Sequence, residues 1–229
     1  MLILCDRRIP AAARRRLEQY GELLNFYTKG ITYDAISCHP DIFFCPTPSG
    51  LIVAPNLPRR YQEILQFKGI VWQSGKQPVG GQYPQTAHYN CLFTEKHLVH
   101  NLACTDDAIM KNVKGHALIH CAQGYTRCNL VHLTENSFVT SDRGIETVLK
   151  KSGADILYAD PSAILLPGAK HGFFGGACGR YRNKLFLCGG IKHLPQQELL
   201  LGKLENLGIE IIELYPGPLF DGGGILFMD

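Results

Sequence analysis

Apolar and polar positions along the chain follow a repeating order that predicts a succession of similar α/β units. Each unit begins with a helix-start signal, continues through a short amphipathic helix to a glycine, and ends in an apolar strand. In the first unit Pro10 suits the opening helical turn, Ala13 and Leu17 share one helix face, and Gly21 is expected to end the helix in the left-handed conformation. A strand over residues 22–27 follows.

Four further copies of this order are found along the chain. Their helices are predicted to start at Pro58, at Thr105 or Asp106, at Ser141 or Asp142, and at Pro195. The glycines at 21, 69, 115, 153 and 208 lie 48, 46, 38 and 55 residues apart, a spacing typical of structural repeats.

Between the copies lie pairs of apolar segments with turn residues between them, which predict β-hairpins. The pairs are 42–45 with 51–54, 89–93 with 97–101, 129–133 with 138–141, and 177–181 with 185–188. A fifth hairpin is divided between residues 224–228 and residues 2–5. We therefore expect the two ends of the chain to pair and to close a five-bladed α/β propeller, a single domain over residues 1–229 without exposed sheet edges.

Composition narrows the possible functions. Hydrophobic residues make up 45% of the 229 positions, enough for a sizeable core, so the 24 glycines and 13 prolines indicate turns rather than disorder. A net charge of +3 gives no nucleic-acid-binding face, and no segment has the apolar length of a membrane span or signal peptide. Nine cysteines without CxxC pairs indicate a reducing, cytoplasmic location, and no metal-binding spacing is present.

Two short motifs in this sequence resemble motifs of a known protein family. The stretch from His39 through Asp41 to Phe44 is similar to the His-x-Asp stretch of guanidine-modifying enzymes, and Asp221-Gly222-Gly223-Gly224 resembles their C-terminal glycine-rich strand. The chain thus resembles the pentein fold of arginine and agmatine deiminases, dimethylarginine hydrolases, amidinotransferases and one ribosome anti-association factor. In the enzymes a cysteine thiolate attacks the guanidinium carbon, a histidine shuttles protons, and paired carboxylates hold the planar cation.

The resemblance fails at the position of the nucleophile, where this chain has Phe227. Cys178, in a glycine-rich stretch with His171 as a possible base, is the first candidate to replace it. Cys128 is the second, because the cation of neighbouring Arg127 favours a thiolate. Free cysteines are also common core residues, and His39 and Asp41 have an alternative role as a cap pair.

Segments after the strands that follow the helices are expected to form a polar central pocket. Its catalytic candidates are His39, Asp41, His171 and Cys178, and its ligand-binding candidates are Asp221, Gly222, Gly223, Asn90, Arg127 and Cys128. The prediction is a pocket for a small guanidino, ureido or amino-acid-like ligand, without a cofactor or metal, in a divergent Cys/His hydrolase or deiminase. The alternative is a non-catalytic pentein that binds a protein or the ribosome.

Overall fold

The computed structural model describes residues 1–134 and 136–229, and within them the strands form five sheets of three strands each. In chain order the strands are β1 (Leu2–Asp6), β2 (Glu22–Phe26), β3 (Phe44–Thr47), β4 (Gly50–Val53), β5 (Trp72–Ser74), β6 (Leu92–Phe93), β7 (His97–His100), β8 (Ala117–His120), β9 (Leu130–Thr134), β10 (Ser137–Thr140), β11 (Asp155–Tyr158), β12 (Cys178–Tyr181), β13 (Lys184–Leu187), β14 (Glu210–Glu213) and β15 (Leu226–Met228). The sheets are β15-β1-β2, β3-β4-β5, β6-β7-β8, β9-β10-β11 and β12-β13-β14.

All five sheets share one plan, in which the middle strand pairs antiparallel with one neighbour and parallel with the other. A helix connects the two parallel strands, as parallel pairing requires. These connecting helices are α1 (Ala11–Leu17), α3 (Arg59–Phe67), α4 (Asp107–Met110), α6 (Arg143–Lys151) and α7 (Gln197–Asn206). The helices α2 (Pro40–Phe43) and α5 (Thr126–Asn129) are single turns that lie before β3 and β9.

The two ends of the chain meet in the first sheet. Leu2 pairs with Met228 and Leu4 with Leu226 in an antiparallel ladder. The predicted pairing of the terminal segments is therefore confirmed, and β15 takes the place that β3, β6, β9 and β12 occupy in the other sheets.

Four of the five connecting helices begin where the sequence predicts, whereas α7 begins at Gln197 rather than at Pro195. The helices α1 and α4 end at Leu17 and Met110, several residues before Gly21 and Gly115. Asp106 and Asp142 cap α4 and α6 by accepting backbone N–H bonds from Ala108 and Ile145, both at 2.8 Å. Four of the stop glycines have positive φ, but Gly21 does not, so its predicted left-handed conformation is wrong. Its glycine is needed for a different reason, because a Cβ there would lie 2.8 Å from the carbonyl oxygen of Met1.

We call β3, β6, β9, β12 and β15, the antiparallel partners of the middle strands, the first strands of their sheets. All five start later than the hydrophobic pattern predicts, at residues 44, 92, 130, 178 and 226 rather than 42, 89, 129, 177 and 224. In three of them α2, α5 and a 3-10 turn over Gly175–Ala177 precede the strand. A short apolar run does not distinguish a helical turn from a strand. These turns position most of the polar side chains described below.

Aromatic packing accounts for the phenylalanine at the position where the resemblance leads us to expect a cysteine. The ring of Phe227 lies 4.7 Å from that of Phe186 and 5.4 Å from that of Tyr181, measured between centroids. Phe227 therefore joins a hydrophobic cluster between the first and last sheets. Among the described helices, none has the length and apolar character needed to cross a bilayer.

Candidate active site

A small cavity of about 230 Å³ lies where the segments before several first strands meet. We call it the thiol cavity. Its polar lining includes His39, Cys128, His171 and Asp221, and its apolar lining includes Ile42 and Phe173. His39, Cys128 and Asp221 are almost fully buried, with exposed fractions of 1%, 3% and 1%.

Cys128 is held by a buried polar network at the start of β9. Its thiol donates a hydrogen bond to Oδ2 of Asp41 at 2.7 Å, and Nδ2 of Asn90 lies 3.4 Å from the sulfur. Oδ1 of Asn90 accepts the backbone N–H of Cys128 at 3.0 Å, and its backbone carbonyl accepts the N–H of Arg127 at 2.9 Å. Asn90 thus fixes the α5 turn, and with it the position of the sulfur atom.

His39 faces this thiol with an unusual lack of partners. One ring nitrogen of His39, one carboxylate oxygen of Asp41 and the sulfur of Cys128 all lie within 4.8 Å of one another. Neither ring nitrogen of His39 has a hydrogen-bond partner among the described residues. Nε2 lies 3.9 Å from Asp6 and Nδ1 lies 3.9 Å from Asp221, both too far for a hydrogen bond. Buried polar atoms are normally satisfied, so the two ring nitrogens of His39 are available to hydrogen-bond a ligand.

The imidazole of His39 is neutral in the ligand-free protein. Burial, assisted by the positive charge of Arg8, lowers its pKa from 6.5 to about 3. The contacts at 3.9 Å to the two carboxyl groups are therefore not ion pairs at neutral pH.

Asp221 is fixed by backbone donors and surrounded by glycines. Its carboxyl oxygens accept the N–H groups of Phe173 at 2.8 Å and Gly223 at 3.0 Å. A Cβ on Gly176 would lie 2.0 Å from Oδ1 of Asp221, and a Cβ on Gly223, where φ is +68°, would lie 2.3 Å from Cβ of His39. The glycine-rich segment therefore lets the backbone approach both side chains, and Gly223 also accepts the N–H of Asp41 through its carbonyl at 3.3 Å.

Two buried carboxyl groups resist ionisation here: Asp221, which lines the thiol cavity, and Asp41, which lies behind it and contacts Cys128. Burial raises the pKa of Asp41 to about 6 in spite of the nearby positive charge of Arg127. Burial, together with the negative charges of Asp41 and Asp6, raises the pKa of Asp221 to about 7 although two backbone N–H groups oppose the shift. Burial and the charges of Asp41 and Asp221 also raise the pKa of the Cys128 thiol well above its usual value. The thiol is consequently protonated at rest.

Asp6 and Arg8 belong to this site although the sequence pattern did not select them. Asp6 ends β1 and is fully buried, and its carboxylate accepts a two-pronged bond from Arg8, with contacts of 2.7 to 3.1 Å. Arg8 also donates to the carbonyl oxygens of Asp34 and Ala35, which anchors the loop before His39. A signal was present, since a charged residue directly continues the apolar run 2–5.

Cys178 and His171 are placed differently from Cys128 and His39. His171 lines the thiol cavity, where its Nδ1 lies 2.9 Å from the carbonyl oxygen of Gly172, whereas Cys178 lines a separate, larger cavity. Burial and the nearby Cys188 and Asp221 raise the pKa of Cys178 well above its usual value. Of the two candidate thiols, Cys128 is the one that the structure brings together with His39 and Asp41.

The remaining predicted ligand-binding residues are also near the thiol cavity. Gly222 donates its N–H to the carbonyl of Gly176 at 3.0 Å, and a Cβ there would lie 2.7 Å from Ile9. Asn90 contacts Cys128, as described above. The positive charge of Arg127 acts to lower the pKa of Asp41, and Arg127 lines the larger cavity.

His39, Asp41 and Cys128 are also donor types that bind Zn²⁺. Two ligands of a tetrahedral zinc ion with ordinary bond lengths stand roughly 3.6 Å apart. The sulfur of Cys128 and Oδ2 of Asp41 are only 2.7 Å apart, which is a hydrogen-bond distance. The arrangement therefore suits a thiol and its proton acceptor better than a metal ion, and a site without metal stays a prediction.

Comparison with solved structures defines the class of fold. The chain is similar to an amidinotransferase from Microseira wollei, with a TM-score of 0.54 and 11% identity over 93% of this chain and 87% of that chain. It is similar to the C. jejuni agmatine deiminase, with a TM-score of 0.53 and 12% identity over 93% and 74%. A dimethylarginine dimethylaminohydrolase adduct gives a TM-score of 0.51 and 11% identity over 93% and 91%. The resemblance to pentein-fold enzymes is confirmed, and at these identities it is a likeness of fold.

The family follows from the sequence itself. A family of unknown function (DUF6873) has a model that matches residues 4–226, so the chain belongs to that family. No curated protein matches the chain in sequence.

Proposed function

We propose that the five sheets are the blades of a closed propeller and that the thiol cavity lies at its axis. The segments that precede the first strands of all five sheets meet there. They contribute Asp41 before β3, Asn90 before β6, Cys128 before β9, Gly176 before β12 and Asp221 before β15. The pairing of β1 with β15 supports the closure.

Within this propeller, the thiol cavity binds the planar cationic group of a small guanidino-type ligand, on which Cys128 acts as nucleophile. The observation that carries this proposal is the convergence of the Cys128 sulfur, an unpaired nitrogen of His39 and an oxygen of Asp41 within 4.8 Å, in a buried cluster whose His39 and Cys128 line the thiol cavity. Asp221 lines the same cavity.

The charges of the cavity favour a cation. Asp41 and Asp221 have raised pKa values because each charged form lacks solvent and a sufficient counter-charge. A cation between them supplies that counter-charge and restores ionisation, so its binding releases protons near neutral pH. Carboxylates form paired hydrogen bonds with a planar guanidinium, and Oδ1 of Asp41 has no partner among the described residues.

The same cation would activate the thiol. A positive charge next to Cys128 lowers the energy of the thiolate, with Asp41 and His39 placed to accept its proton. The sulfur then attacks the guanidinium carbon, and the proton passes to the departing amine. This gives an S-linked thiouronium and a free amine. Water attacks the thiouronium carbon, which yields a urea product, regenerates the thiol and releases one proton to the amine.

Binding is tested with a matched pair of ligands, N-methylguanidinium and neutral N-methylurea, by isothermal titration calorimetry at pH 8. The cation is expected to bind and the urea to bind at least tenfold more weakly, because only the cation compensates the two carboxylates. Asp221→Asn is expected to remove this preference, and Asp107→Asn, at an exposed carboxyl, to leave it unchanged. Equal affinity for both ligands, or no binding of either, would contradict the proposal and favour a non-catalytic partner-binding role.

A further inference from the structure

A second and larger cavity, of about 640 Å³, is lined by parts of three sheets. Residues of β9 and β12, two strands that begin next to the thiol cavity, line it, and so does Glu95 in the turn after β6. We call it the arginine cavity because Arg127, Arg180 and Arg182 all line it. Consecutive residues divide between the two cavities, since Cys128 lines the first and Arg127 the second.

Two of these arginines each have a buried nitrogen without a hydrogen-bond acceptor among the described residues. Nη1 of Arg127 and Nη1 of Arg180 are buried, and neither has a hydrogen-bond partner among the described residues. Arg180 donates through Nη2 to the carbonyl oxygen of Leu133 at 2.8 Å, which holds its side chain across β9. An arginine fork with buried, unsatisfied donors is costly in a finished structure, and a bound anion removes that cost.

The charge balance of the cavity points to the same kind of ligand. Glu95 supplies the one carboxylate among its described lining residues, against three arginines, and His132 lies beside them. Burial lowers the pKa of Arg180, and no acidic group among the described residues opposes the shift. Arg182 extends from the turn between β12 and β13, where it is exposed and stacks its guanidinium 5.1 Å from the centroid of Tyr181. Among the described residues Arg182 has no ion-pair partner that it would have to leave in order to approach a ligand.

We propose that the arginine cavity is an anion-binding site for a phosphate or carboxylate group of a small molecule, held by Arg127, Arg180 and Arg182. Planar arginine forks bind both groups in a two-pronged manner, which single lysine charges do not. The site is independent of the thiol cavity in its ligand chemistry, since the first cavity selects a cation and the second an anion.

Inorganic phosphate and malonate serve as separate probes, titrated into the wild-type protein by calorimetry at constant ionic strength with chloride as the reference ion. Saturable binding of phosphate, of malonate or of both is expected, and the stronger probe assigns the preferred group. Arg180→Gln and Arg182→Gln are each expected to weaken that binding tenfold or more, because each removes a charged donor. Arg180→Lys keeps the charge but not the two-pronged geometry, so its affinity for the probe should lie between those of the wild type and Arg180→Gln.

Arg15→Gln, on an exposed part of α1, is the matched control and should bind like the wild type. Arg127 is left intact because its charge also acts on Asp41. Absence of saturable binding of both probes to the wild-type protein overturns the proposal. So does unchanged affinity in folded Arg180→Gln and Arg182→Gln. N-methylguanidinium binding is measured on the same samples, so that loss of the first site and loss of the second are separate results.

Discussion

The raised pKa of Asp221 makes the stability of the ligand-free protein depend on pH in a defined direction. This carboxyl titrates near 3.8 when unfolded and at about 7 in the folded chain. Between these values the folded state holds a proton that the unfolded state has lost. The free energy of unfolding therefore falls as pH rises through this window, and the contribution is complete below pH 4 and absent above the folded pKa. A difference of about 3 pKa units corresponds to roughly 4 kcal/mol.

Asp221→Asn isolates this contribution because it keeps the size of the side chain and removes its titration. Urea unfolding of wild type and variant is compared at several pH values from 4 to 8. The free energy of wild type minus that of the variant is expected to decrease by about 4 kcal/mol over this range. Asp107→Asn should give a difference that does not change comparably. A wild-type-minus-Asp221→Asn difference that is constant, or that grows with pH, would refute the argument that Asp221 is buried without a sufficient counter-charge.

Two further substitutions test parts of the site. Gly223→Ala places a Cβ 2.3 Å from His39 at a φ of +68°, so it should lower the free energy of unfolding by about 2 kcal/mol or more. Gly81→Ala, whose Cβ meets nothing within 4 Å, should change this free energy little. Equal effects of the two substitutions in urea unfolding would refute the close approach. Phe227→Leu loses the ring contact with Phe186 and should lower the free energy of unfolding by about 1 kcal/mol. The alkylation rate of Cys128 should be unchanged in this variant, and a changed rate would show that Phe227 acts on the thiol.

Much of the fold could be predicted from the residues that start and end helices. Pro10, Asp106 and Asp142 mark helix starts, and Gly69, Gly153 and Gly208 follow the last residues of their helices with positive φ. The pairing of the two chain ends was predicted because four hairpins are complete and the fifth is divided between residues 224–228 and 2–5. The single turns α2 and α5 could not be predicted, because four residues give no helical period to read and their apolar positions continue into the strand.

The site was predicted as a set of segments rather than as a set of contacts. The structure places His39, Asp41 and Asp221 near one another, and Cys128 rather than Cys178 is the thiol beside them, while their role in a site stays a prediction. Sequence could not decide between the two cysteines, because both precede or begin a first strand and both are buried. The difference is the hydrogen bond from Cys128 to Asp41, which joins residues 87 positions apart.

The proposed reactivity of Cys128 towards a planar cation can be measured by alkylation. 2-Chloroacetamidine is a planar cation, and 2-chloroacetamide is its neutral analogue of nearly equal shape. Each is reacted with the protein at pH 8, and peptide mass spectrometry locates the modified cysteine. We expect the amidine to modify Cys128 before the other eight cysteines and at least tenfold faster than the amide does. We expect Asp221→Asn to remove this advantage. Equal rates for the two reagents, or first modification at Cys178 or another thiol, would contradict the proposal.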